Sequence, residues 1–194
     1  MCATRSGENV AGIYGNRLLH LCTSSALPAC RRFSELTEAQ RKKAIIAVSK
    51  TGNNNVSEAF KDNVVLDYAG IRVAELSATQ REQLLTLMSQ YVGNMDDGHA
   101  QVKMSEVRQH IENTWFAWID ETELQRVFYY RIHSPVILIE FDHQLPVGLR
   151  HLAGNPRAVD REHIHTVMRT PNGNDYGKDV LRQHYEQHPH PHSH

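Results

Sequence analysis

The chain has 194 residues, 40% hydrophobic and 22% charged, and its 21 Lys and Arg against 22 Asp and Glu leave a net charge of -1. That length supports one domain with a real core, and the composition is that of an ordinary soluble protein. The charge balance removes the electrostatic case for nucleic acid or an anionic membrane as partner, and no apolar run approaches the roughly 20 residues that a bilayer span needs.

Residues 1–34 differ from the rest. They hold Arg5, Arg17, Arg31 and Arg32 but one acid, Glu8, and they contain all three cysteines, Cys2, Cys22 and Cys30. An odd number of cysteines at one end describes no disulfide framework. Leu18-Leu19-His20-Leu21 is too short for a signal-peptide core. Scattered Arg and Ser with few acids resembles a transit peptide weakly, and the plainer expectation is a disordered leader. The residues fix no compartment; the expectation is a soluble chain, cytoplasmic by default.

Residues 35–188 are expected to form a single α+β domain. Thr37-Glu38-Ala39-Gln40 reads as a capping box opening a helix whose apolar stripe runs through Leu36, Ile45 and Val48, stopped by Thr51-Gly52-Asn53-Asn54-Asn55. Val64-Val65-Leu66 is a short apolar piece entering the turn Asp67-Tyr68-Ala69-Gly70. Ser77-Ala78-Thr79-Gln80 is a second capping box. The helix after it places Leu84, Leu85, Leu87, Met88 and Tyr91 on one face, and Gly93-Asn94 stops it. A third helix is predicted from His99 to Asn113, with Val102, Met104, Val107 and Ile111 partly inward.

The pattern then turns to strand. Thr114 to Ile119 is aromatic and β-prone. Gln125 to His133 alternates weakly, and Pro135 to His143 reads as a central strand. The tight His133-Ser134-Pro135 link makes these two an antiparallel hairpin. His163 to Thr170 is the fourth strand candidate, after a long loop from Gln144 to Glu162 of a length that is often functional or mobile. A helix from Tyr176 to Gln187 closes the domain, and 189–194 is a histidine-rich tail. The predicted fold is N-terminal helices, an antiparallel sheet of about four strands and a closing C-terminal helix.

Several segments together resemble one family. They are Val65 to Ile71 (VLDYAGI), Tyr91 to Met95 (YVGNM), Thr114 to Ile119 (TWFAWI), Val127 to Gln144 (VFYYRIHSPVILIEFDHQ) and His163 to Tyr185 (HIHTVMRTPNGNDYGKDVLRQHY). The chain is similar, over about residues 35–190, to the family catalogued as domain of unknown function 3500. The resemblance implies no assigned activity. Fuller members are about twice this length and carry an N-terminal half ending in a Gly-His-His motif, which residues 1–34 do not match. The implied expectation is a truncated, C-terminal half that self-associates or is complemented by the missing half.

Histidine carries the candidate chemistry: there are 13. In His163-Ile164-His165 a strand would point both imidazoles to one side, the geometry that two ligands of one metal need. Glu140 or His143, at the end of the central strand, is the candidate third ligand. Two His and a carboxylate suit iron, while three His suit zinc or copper. The plain alternative is a hydrogen-bonded cluster in which Glu140 and Asp142 bond to backbone or to Arg131 and Arg169. Asp175 has two readings, as the cap of the closing helix or as a catalytic acid/base group beside the histidine pair. The tail histidines bind metals adventitiously. No cysteine lies near His163 and His165 in the sequence, and no phosphate loop or Gly-X-Ser-X-Gly elbow appears. Two readings of function stand: a metal-dependent enzyme domain using a divalent transition metal (zinc, iron or copper), or a non-catalytic remnant or binding module without one.

Overall fold

Among the described residues three helices precede the four long strands, as the patterning predicts, with two short strands among them. The computed structural model describes residues 35–57, 65–120, 127–146, 158–171 and 184–188. Helix α1 (Glu38–Ala44) opens on the Thr37–Gln40 capping box. It ends four residues before Val48, because the chain turns at Ile45 into a short strand, β1 (Ile45–Ala47). Two successive β-branched residues lose rotamer freedom in a helix and suit a sheet edge. Strand β2 (Ile71–Arg72) leads through a 3-10 turn (Val73–Glu75) to α2 (Ala78–Val92), which the Ser77–Gln80 box caps and Gly93 ends. Helix α3 (Asp97–Gln109) starts earlier than predicted and hands over to a second 3-10 turn (Ile111–Asn113). Its inward face is narrower than predicted: Val107 is buried, but Val102 is 63% exposed.

Strands β3 (Trp115–Ile119), β4 (Tyr129–His133), β5 (Leu138–His143) and β6 (Ile164–Arg169) are the four predicted ones. They form an antiparallel run in chain order. The sheet is larger and mixed, with six strands, because β1 and β2 both pair with the outer edge of β3, β1 in parallel and β2 antiparallel. Neither is long enough to announce itself by periodicity. Of the predicted closing helix only its end is described, where residues 184–187 are helical.

Alternation sorts the sheet into two unlike faces. One presents Phe116, Trp118, Tyr130, Ile132, Ile139, Phe141 and Ile164 to Leu84, Leu87, Met88 and Tyr91 of α2 and to Val107 of α3; this is the hydrophobic core. Trp118, Phe128, Tyr130 and Phe141 stack along it with centroids 4.6–6.3 Å apart. The other face carries Tyr129, Arg131 and His133 from β4, Glu140 and Asp142 from β5, and His165 from β6, in register across the strands. It is nonetheless buried at β4 and β5, because the stretch after β1 and the approach to β2 fold over it. Gly70 makes that approach possible. Its φ is +90°, and a Cβ there would lie 2.1 Å from the Phe116 carbonyl oxygen.

Candidate functional site

The register of β5 against β6 sets Asp142 opposite His165 and Glu140 opposite Val167. The two strands of the predicted site are therefore neighbours, and His163 and His165 lie together, with ring Nε2 atoms 3.0 Å apart and planes at 79°. His163 Nδ1 lies 2.7 Å from the Leu145 carbonyl oxygen. A carbonyl only accepts, so Nδ1 carries the proton and, in the neutral ring, Nε2 is left as a lone pair aimed at His165. Both imidazoles are half-buried at the rim of the polar face.

The carboxylates have other work. Glu140 is fully buried. Its Oε1 accepts from Val56 N–H at 2.9 Å and from the Tyr129 hydroxyl at 2.6 Å. Its Oε2 accepts from Ser57 N–H at 3.0 Å and Ser57 Oγ at 2.8 Å. Asp142, also fully buried, takes Asn54 N–H, Asn55 N–H and Gln144 Nε2 on Oδ2 at 2.7, 3.1 and 2.9 Å. Its Oδ1 meets the Lys50 ammonium at 2.9 Å, with both side chains out of water. Burial pushes Lys50 below its ordinary value, against the pull of Asp142. Burial, and next the charge of Glu140, push the Tyr129 phenol well up, which keeps it a donor. Of the two fates the sequence allowed for Glu140 and Asp142, bonding to backbone is the one seen. Together they clamp residues 54–57 onto the sheet.

Within that clamp, four donors occupy the two oxygens of Glu140, the candidate third ligand. The parity of β5 puts His143, the other candidate, on the opposite face from Glu140 and Asp142. There it meets Phe128 and Phe141 edge-on, and its Nδ1 lies 3.0 Å from the Phe128 N–H that it accepts from, with the Phe128 carbonyl at the same distance. Burial brings its pKa down to about 4. Asp175 lies outside the described residues. Among those residues no group of three or more His, Cys, Asp or Glu is arranged to hold a metal ion.

Two more side chains on the polar face went unremarked as site residues in the sequence. Arg131 and His133 are 7% and 4% exposed. His133 packs under Tyr68, ring centroids 4.5 Å apart, and Tyr68 stacks on Trp115 at 4.0 Å. Burial, then the charge of Arg131, hold the His133 pKa at about 4. The signal was the period-two run Tyr129, Arg131, His133 facing Glu140 and Asp142, a polar stripe in strands otherwise apolar.

A family model described as "Protein of unknown function (DUF3500)" matches residues 14–178. The match begins inside the segment expected to be a leader. No curated protein and no solved structure matches the chain. No helix among the described residues is long and apolar enough to cross a membrane.

Proposed function

The chain belongs to the DUF3500 family of proteins of unknown function, and from the geometry of its sheet rim we propose that it is a metal-dependent enzyme domain of unassigned reaction. His163 and His165 supply two nitrogens to one divalent transition metal (zinc, iron or copper), and water or substrate takes the remaining positions. One observation carries the reading. Two Nε2 atoms 3.0 Å apart subtend about 90° at a metal roughly 2.1 Å from each, the angle of six-coordinate or square iron or copper rather than of tetrahedral zinc, and the Nδ1–H of His163 is tied to a carbonyl, as metal-ligating histidines usually are. A metal held there would acidify a bound water or polarise a substrate oxygen. The chain's own contribution is to orient His163 through Leu145 and to keep the β5–β6 register that brings the two rings together.

The alternative is a binding module without metal, in which His165 Nε2–H donates to the lone pair of His163. The occupied carboxylates of Glu140 and Asp142 favour it. The two readings separate in a titration of metal-free protein lacking residues 189–194 with zinc and with cobalt. The metal reading expects one equivalent bound, with the visible spectrum of imidazole-ligated cobalt. It also expects at least a tenfold loss of affinity in each of His163→Ala and His165→Ala. Absence of stoichiometric binding, or binding that survives the double substitution, leaves the metal-free module.

A further inference from the structure

Among the described residues the polar face leaves two neighbouring nitrogens of β4 unbonded, Arg131 Nε and His133 Nδ1, while the oxygens without a hydrogen bond lie on Asn54, Asn55 and Asp142, the last of them meeting Lys50. Glu140 and Asp142 each collect four donors, yet Arg131, one strand from Glu140 and directly opposite it in register, forms no ion pair with it among the described residues. A guanidinium offers five N–H donors. The hydrogen bond Arg131 makes among those residues is from Nη2 to the Asp67 carbonyl at 3.4 Å, and its buried Nε has no partner there. Two residues along, on the same face of β4, the buried Nδ1 of His133 is also without a partner among the described residues. Each such group, out of water and unbonded, costs about 1–3 kcal/mol, and more when charged. Two adjacent ones, both on residues more than nine-tenths buried, call for a common acceptor.

We propose that Arg131 and His133 form the floor of a site for a small carboxylate, which lies against the aromatic wall of Tyr68 and Trp115. A carboxylate is planar and presents two oxygens, the pattern that a guanidinium edge holds through two parallel bonds. Charge selects it over phosphate. Lys50 is already committed to Asp142, and the charge of Glu140 is one strand away, so the face tolerates a monoanion far better than a dianion. His133 stays neutral near pH 7, so its Nδ1 supplies an N–H in the tautomer the ligand selects. Tyr68 is 43% exposed over its stack, which leaves the wall open to a ligand's apolar portion. The site is separate from the His163–His165 pair and stands whether or not that pair binds metal.

Thermal unfolding of the full chain tests it, with chelator present so that metal plays no part and with ionic strength matched by chloride. Acetate and benzoate are the carboxylate probes; inorganic phosphate is the comparison. The expected result is a rise in Tm of about 3–5 °C for each tenfold increase in carboxylate above its dissociation constant. That rise should vanish in Arg131→Met and shrink in His133→Phe. No shift in the wild type, an equal shift in Arg131→Met, or a response to phosphate alone overturns the proposal. Should Arg131→Met fail to fold, Arg131→Lys keeps the charge and loses the fork. The shift should then fall by at least half, and a full shift in that variant is equally fatal.

Discussion

Glu140→Gln is the sharpest test of how the polar face is held. In the wild type each carboxylate oxygen faces two donors, one of them a backbone N–H: Val56 N–H with the Tyr129 hydroxyl, and Ser57 N–H with the Ser57 hydroxyl. The glutamine amide keeps the shape but replaces one oxygen with an NH2 group. Either hydroxyl can rotate to accept from it; neither backbone N–H can. Whichever way the amide turns, one buried N–H faces another donor, which costs about 1–3 kcal/mol. The bonds that remain lose their charge assistance, about 1 kcal/mol each. Relief of the buried carboxylate's desolvation offsets a part, so the net loss is about 3 kcal/mol. For a chain of this size that is roughly 6–12 °C in Tm. Urea unfolding gives the loss directly, and hydrogen exchange shows where it falls. The amides of Val56 and Ser57 should lose protection far more than those of Ile139 or Ile132 in the sheet. A loss under about 1 kcal/mol, with Val56 and Ser57 as protected as before, would refute the clamp.

Stability should also fall in acid between pH 6.5 and about 4. His133 and His143 are held neutral in the fold with pKa values of about 4, against an ordinary 6.5. The unfolded chain binds more protons throughout that window, so stability is full above 6.5 and declines as pH falls through it, by up to about 3 kcal/mol for each histidine. Urea midpoints at pH 4.5, 5.5 and 6.5 measure the slope, and His133→Phe should remove about half of it; an unchanged slope would place the titrating groups elsewhere. Gly70→Ala should cost well over about 3 kcal/mol, because φ is +90° and the new methyl meets the backbone at Phe116 and Ala117. A variant melting within about 2 °C of the wild type, which is roughly 1 kcal/mol, would show that the 65–70 stretch does not pass over β3 as described.

The elements that sequence reading found are those whose signal is local. The Thr37 and Ser77 boxes cap real helices because capping needs only four adjacent residues. The four long strands show because five or six residues suffice for a β-prone run, and the tight turn after His133 makes β4 and β5 a hairpin. Strands β1 and β2, of three and two residues, exist only because β3 offers an edge, a partner more than forty residues away. The site follows the same division. That His163 and His165 share a face is a property of one strand. That His143 points the other way from Glu140 is equally local, and strict alternation along β5 would have rejected His143 as a companion of Glu140. The occupation of Glu140 and Asp142 was beyond reach, since their donors at 54–57 lie more than eighty residues earlier.

The clamp also explains why an acidic pair sits in a central strand. Glu140 and Asp142 hold a stretch that begins with asparagines, residues 54–57, whose backbone N–H groups point into the sheet and have no strand of their own to bond. An apolar pair at those positions would leave four backbone donors unmet, one on the buried Ser57 and three on half-buried residues, at a cost no extra hydrophobic area on two side chains would recover. The same reasoning sets the hierarchy of the face. The carboxylates of β5 are consumed by the fold, so the candidates for chemistry directed outward are the residues flanking them, His163 and His165 on one side and Arg131 and His133 on the other. Function should therefore be sought at the two ends of this polar stripe, and substitutions at its centre should act on stability first.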